Sequence, residues 1–312
     1  MIWWNTQSLM DIKYFEHKNI DFQKWDTCVR QSIQQLPYAF SWYLDELCEN
    51  WDGIVVGDYD AIFPLPWNKK FAIKYVYPPF FIQQLGLYSK TQTDENILFE
   101  VWKIANSKFK FLEYYLNSFD GLKAPGLTAE RVNFELNLSS SHDDIKKGYS
   151  ENCRRNIKKA VQLGLTVEEV PKALEVINLF QQEKGKSIKT LSKKDYLRFE
   201  GLMDVCDYKG ILRVKHVLLA GKVCAGACFL KTEGKIVFLF SGNNELARNS
   251  GAMAFLIDSV VHEYSGQNIT FDFEGSNDDN IGRFYQSFGA LNHPYLFVKV
   301  NKLGFPLKLL KK

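Results

Sequence analysis

The stretch from Ile211 to Val300 constrains this chain most, because it switches between two hydrophobic periods in a fixed order. Alternating runs at Ile211 to Leu219, Lys222 to Lys231 and Lys235 to Phe240 read as strands. Tight turns at Ala220-Gly221 and Thr232-Glu233-Gly234 join them as hairpins. A helical pattern from Ala252 to Tyr264 follows, with Met253, Leu256, Ile257, Val260 and Val261 on one face. A strand from Ile269 to Phe273, a helix from Asp278 to Phe288 and a last strand from Tyr295 to Val300 complete the series. Three antiparallel strands, then helix, strand, helix, strand is a mixed α/β pattern. A crossover helix is expected to set its fourth and fifth strands side by side in parallel.

The upstream half is organised by turn signals. An amphipathic stretch runs from Asp21 to Ile33, and a helix from Trp42 to Asn50 is expected to take Ser41 as its N-cap. Strands are expected at Gly53 to Val56, Tyr59 to Pro64 and Phe71 to Tyr77, then a helix from Asp94 to Ser107 and a strand from Phe109 to Leu116. Between them, Pro78 and Pro79 remove two backbone donors, which excludes Tyr77 to Gly86 from a regular central strand and suits the lining of a surface groove. Lys123-Ala124-Pro125-Gly126 is a turn cluster, and Arg131 to Leu138 alternates as a strand. Ser141-His142-Asp143-Asp144 opens a long helix, and further helices run from Pro171 to Lys184 and from Ser192 to Cys206. At 312 residues the chain is long for one core. Two domains are expected, 1–138 and 139–312, with the final residues free to pack back on the first.

An aromatic share of 15%, spread along the whole chain, argues for packed cores and against disorder. A net charge of +3 is too small to imply nucleic-acid binding without a local cluster. No run approaches the ~20 apolar residues of a membrane span. Met1-Ile2-Trp3-Trp4-Asn5 lacks the pattern of a secretory signal, so a cytoplasmic location is expected. The six cysteines are scattered and read as buried free thiols. Cys224 and Cys228, four apart in an alternating run, are expected on one strand face, but nothing is spaced to complete a metal site, and no metal is expected.

Chemistry concentrates in Ile236 to Ala290. Behind the strand, Ser241-Gly242-Asn243-Asn244 and then Arg248-Asn249-Ser250-Gly251-Ala252 lead into a helix N-terminus. Small residues there expose backbone N–H groups that, with the helix dipole, suit a pyrophosphate. The alternative is a routine strand-to-helix turn. In Asn280 to Ala290, Ile281, Phe284, Tyr285 and Phe288 form one helical stripe, ended by Gly289. Asp272 or Glu274, expected on one strand face, could serve as a general base if burial raises the carboxyl pKa; structural pairing is the competing role. Upstream, Tyr149, Cys153, Ile157 and Ala160 share one helix face, while Arg154, Arg155, Lys158 and Lys159 form the other. Four cations there could meet phosphates, or simply be solvated.

These motifs resemble the GNAT superfamily of acyl-CoA-dependent acyltransferases. Arg248-x-x-Gly251 fits the start of its R/Q-x-x-G-x-G/A loop, with Met253 standing where a small residue is usual. Asn280, Tyr285 and Gly289 match its second helical motif. The resemblance implies acyl-CoA, such as acetyl-CoA, as co-substrate, held by Ser241, Gly242, Asn243, Asn244, Arg248, Asn249, Ser250, Gly251, Ala252 and Asn280, and Tyr285 as the acid that protonates the leaving thiolate. Tyr149 to Ala160 with Gly164-Leu165, and the aromatic stretch at Pro78-Pro79-Phe80, look like the Fem-like branch of tandem GNAT-like domains. That branch implies two such domains of mixed, mostly antiparallel sheet flanked by helices, the first degenerate and shaping the acceptor cleft, the second holding the donor.

Three functions follow as expectations. The first is an N-acyltransferase moving an acyl group from acyl-CoA to a small-molecule or peptide amine. The second is a Fem-like aminoacyltransferase using aminoacyl-tRNA and a peptidoglycan precursor; the basic helix leans toward it and the modest net charge against broad RNA contact. The third is a non-catalytic binding module with the same fold, for which Met253 speaks.

Overall fold

The computed structural model describes residues 11–92, 95–117, 127–188, 191–275, 278–306 and 308. The turn cluster at 123–126, the helix start at Asp94 and the stretch Met1 to Asn5 lie outside the described residues. The chain divides into two compact units, Met1–Glu130 with Tyr295–Lys312, and Arg131–Pro294.

The first unit contains β1 (Ile12–Phe15), α1 (Phe22–Gln31), α2 (Ser41–Leu47), β2 (Asn50–Val56), β3 (Ala61–Lys70), β4 (Ile73–Val76), β5 (Tyr88–Ser89), α3 (Glu95–Lys108), β6 (Phe111–Tyr115) and β7 (Leu127–Arg131). Asp21 caps α1, its carboxylate accepting from the N–H groups of Gln23 and Lys24 at 3.1 Å each. Ser41 is not the N-cap of the second helix but its first residue. Asp26 of α1 takes the cap's place, accepting from the Ser41 N–H at 2.7 Å and its hydroxyl at 3.0 Å. A carboxylate from a neighbouring helix here does what the local sequence assigned to a hydroxyl. The segment after β4 forms no regular strand, and Tyr77, Pro78, Pro79, Ile82, Gln83 and Leu85 line a depression with Tyr114 and Tyr115.

The second unit contains β8 (Phe134–Asn137), α4 (His142–Lys147), α5 (Glu151–Gln162), β9 (Thr166–Val170), α6 (Leu174–Gln182), α7 (Lys193–Tyr208), β10 (Leu212–Leu219), β11 (Lys222–Lys231), β12 (Lys235–Asn243), α8 (Glu245–Ser250), α9 (Ala252–Tyr264), β13 (Thr270–Asp272), α10 (Asp279–Gln286) and β14 (Leu291–Asn292). The long helix expected from Ser141 is two helices. Ser141 caps α4, the chain turns at Gly148, and Ser150 caps α5 by accepting from the Cys153 N–H. The strands run in the order β14-β8-β13-β12-β11-β10-β9, mostly antiparallel, with β12 and β13 the parallel neighbours. Helices α5, α8, α9 and α10 build the core on one face. Helices α6 and α7 cover the other, with Phe180 and Phe199 packed on Phe240 at ring distances of 4.6 and 4.7 Å.

Two strand expectations fail, one through the choice of partner and one through a shift of register. The fifth strand of the series, β15 (Tyr295–Asn301), does not join β13. It pairs antiparallel with β6 in the first unit, where Tyr295 and Phe297 pack on Tyr115 and Lys299 reaches Glu113 at 2.8 Å. The free side of β13 is taken instead by β8, from before the helices. Cys224 and Cys228 lie on opposite faces. The β10–β11 register shifts between Val217 and Leu218, leaving Cys224 as an extra residue, and one extra residue inverts the alternation. Cys224 therefore joins the α9 side, while Cys228 pairs with Phe240 on the α6–α7 side.

His216 of β10 is buried, its Nε2 without a partner among the described residues. Burial lowers its pKa below the ordinary 6.5, against the weaker pull of Glu175 and Glu168. A neutral imidazole in the fold becomes a free one on unfolding, so its contribution is complete above 6.5 and is lost as pH falls through the lower folded value. His216→Leu should flatten the acid side of the stability profile in that window, as read by urea unfolding at a series of pH values.

Candidate active site

The parallel ladder between β12 and β13 is only three residues long, Lys235↔Thr270, Ile236↔Phe271 and Val237↔Asp272. Both chains continue beyond it, but with different partners. β12 follows β11 as far as Asn243, past an irregularity opposite Cys228 and Phe229 that leaves Leu239 extra. After β13 the chain stays with β8: Phe273 N–H donates to the Phe134 carbonyl at 2.9 Å, and Phe134 N–H to the Glu274 carbonyl at 3.2 Å. From Phe238 on, the β12 edge that faced β13 has no ladder partner among the described residues.

Three charges close the base of this fork. The Lys235 ammonium reaches Asp272 Oδ2 at 3.1 Å and Glu135 Oε1 at 2.5 Å. Burial opposes the ammonium, but the two carboxylates outweigh it and raise the lysine pKa. Asp272 is fully buried, and its Oδ1 also accepts from the Glu274 N–H at 2.9 Å. Asp272 and Glu274 do not share a strand face as expected. β13 ends at Asp272, and Glu274 lies beyond it in a left-handed conformation with φ 59°.

Tyr285 reaches the fork from α10. Its ring lies 4.9 Å from Phe273 on one arm, 6.2 Å from Phe238 on the other, and 6.2 Å from Phe134. Burial, and then the Glu274 carboxylate, raise the phenol pKa, so the hydroxyl holds its proton at neutral pH. Asp278 caps α10 by accepting from Asn280 N–H, and the Asn280 side chain accepts from Arg283 at 2.7 Å. Gly289, with φ 78°, takes the left-handed position after the helix, close to the Gly148 carbonyl.

The expected phosphate loop has a different local structure. Ser241, Gly242 and Asn243 are still in β12, paired with Ala227, Gly226 and Ala225. Asn244 is the N-cap of α8, which contains Arg248, Asn249 and Ser250. Arg248 pairs with Glu183 at 2.9 Å, and the Ser250 hydroxyl donates to the Ala247 carbonyl. Gly251, with φ 78°, links α8 to α9, which begins at the buried Ala252. Both glycines serve close packing. A Cβ at Gly242 would lie 2.5 Å from the Val176 carbonyl of α6, and one at Gly251 would lie 2.3 Å from the Asn156 carbonyl of α5.

On α5, Arg154 folds back to donate to the Tyr149 carbonyl at 2.6 and 2.9 Å, and Arg155 donates to Asn152 at 2.7 Å. Arg155, Lys158 and Lys159 are exposed. Among the described residues, no group of His, Cys, Asp and Glu is placed to hold a metal. No described helix is long and apolar enough to cross a membrane. Sequence reasoning missed Lys235, whose position at the head of an apolar strand looks like the end of a turn.

No known family profile matches the sequence, and no curated protein does. Solved structures do match it in fold. FemX superposes with a TM-score of 0.67 over 97% of this chain and 100% of its own, at 12% identity. The C-terminal domain of a putative lysylphosphatidylglycerol synthetase from Agrobacterium fabrum gives 0.58 over 93% of each chain, also at 12%. A tandem GNAT protein from the clavulanic acid biosynthesis pathway gives 0.50 over 93% of this chain and 98% of its own, at 11%. The chain has the Fem-like tandem GNAT fold, a mixed α/β architecture with two mostly antiparallel sheets flanked by helices.

Removing one member of a buried ion cluster strands the others. Asp272→Ala should therefore lower stability by about 3–5 kcal/mol, measured by urea unfolding. A base with no structural duty would leave the midpoint unchanged.

Proposed function

We propose that this protein is a transferase that moves an acyl or aminoacyl group onto an amine, with its reaction centre in the fork between β12 and the chain after β13. The observation that carries this reading is Tyr285, a protonated phenol set against Phe238 and Phe273 on the two arms, with Glu274 beside it. The amine attacks the acyl carbonyl carbon, forming the new C–N bond. The backbone N–H groups of the β12 edge, which has no ladder partner among the described residues beyond Val237, are the candidates to polarise the carbonyl oxygen. Glu274 is the candidate to take the amine proton, and Tyr285 gives its proton to the leaving atom as the donor bond breaks. Asp272 holds the Glu274 backbone and is assigned no proton transfer.

The surroundings weigh between donors. Backbone from α6 and α5 fills the space in front of Gly242 and Gly251, where the acyl-CoA reading places a pyrophosphate. The exposed cations of α5 offer phosphate contacts on an open surface. We therefore favour aminoacyl-tRNA as donor, in keeping with the fold likeness to FemX, over acyl-CoA. The acceptor is an amine of a small molecule or peptide.

Calorimetric titration with acetyl-CoA, longer acyl-CoAs and a non-hydrolysable aminoacyl-tRNA tests the reading. Binding of the tRNA alone is expected; binding of a CoA ester would restore the acyl-CoA donor, and binding of neither class would leave a non-catalytic module. With the donor in hand, Tyr285→Phe should reduce kcat by about a hundredfold while the thermal midpoint stays in place.

A further inference from the structure

The tip of the β3–β4 hairpin has no part in this chemistry, yet it is built against its own stability. Its register sets Lys69 opposite Lys74, with Lys70 next to them opposite Ile73. Like charges directly across an antiparallel pair repel. None of the three lysines forms an ion pair among the described residues; Lys74 lies 3.9 Å over the Trp67 ring, and Lys70 lies 5.7 Å from the centre of the Phe71 ring. The turn itself is Phe71-Ala72, with φ of 50° and 62°. Two successive left-handed residues suit Asn-Gly, and a phenylalanine there is strained. That conformation leaves Phe71 75% exposed at the end of the hairpin.

An aromatic ring at a turn tip, surrounded by lysines and without a carboxylate in the turn, matches the edge of an anionic bilayer. The ring enters the boundary between headgroups and acyl chains, while the flexible lysine stems keep their ammonium groups at the phosphates. Anionic phosphates also relieve the repulsion between Lys69 and Lys74. Single-stranded RNA would be drawn by the same charge, but it is held in grooves with successive stacking rings. Here one ring projects from a turn.

We propose that the hairpin tip from Lys69 to Lys74 docks this protein on anionic phospholipid surfaces. The inference is independent of the transferase reading, and its test uses no substrate. The full chain is sedimented with vesicles of phosphatidylcholine mixed with phosphatidylglycerol, and with phosphatidylcholine alone. Binding to the mixed vesicles only, weakening with salt, is expected. Replacing Lys69, Lys70 and Lys74 together by Gln should lower the partition coefficient about fivefold per lysine, about a hundredfold in all. Phe71→Ser should lower it about tenfold, and the extra emission of Phe71→Trp should shift to the blue on the mixed vesicles. All three variants are checked by thermal melting, and the lysine and tryptophan variants keep the test open if the serine variant does not fold. Absence of binding to the mixed vesicles, binding that survives the hairpin changes, or hairpin-dependent binding to an RNA oligonucleotide without vesicle binding would overturn the proposal.

Discussion

The ion cluster of Lys235, Asp272 and Glu135 is the constraint on which the second unit depends. A buried ammonium is tolerated only when its charge and donors are met, and here two carboxylates from two neighbouring strands meet them. Because strand side chains alternate, a slip of one residue in β8 or β13 would turn a carboxylate to the opposite face and leave the lysine alone. The cluster thus pins β8, β13 and β12 in one register. It also marks where the parallel ladder stops, and so where the fork begins.

What lies beyond the cluster follows from that register. Asp272 uses its second oxygen to hold the Glu274 N–H, in a backbone conformation that few residues other than glycine adopt readily. The Glu274 carboxylate then faces the Tyr285 phenol strongly enough to raise its pKa, on top of burial. A charge buried for structure therefore sets the backbone position of Glu274 beside Tyr285. The same unit spends its critical glycines on contact between elements: Gly242 admits α6, and Gly251 admits α5 while turning α8 into α9. Space that a small-residue motif leaves open can be filled by protein as well as by a ligand.

Much of the fold was legible locally. The hairpin order of β10, β11 and β12, the α9 stripe and the α10 stripe follow from side-chain period and turn residues, which act over a few positions. The buried face of α5, opposite its exposed cations, and the strand break at Pro78-Pro79 were legible for the same reason. Tyr285 could be singled out because its motif runs over neighbouring residues of one helix and the turn that ends it. Lys235 was not, since its partners are 37 and 100 residues away in sequence.

The sequence by itself determined which segments become strands and helices, and which residue types crowd into the stretch from β12 to α10. Only the tertiary structure decided which strand lies beside β13, which faces Cys224 and Cys228 take, and which carboxylates meet the buried Lys235. Secondary structure is written in near neighbours and their period. Strand partners, bulges and the pairing of buried charges depend on residues far apart in the chain, whose encounter no local pattern encodes.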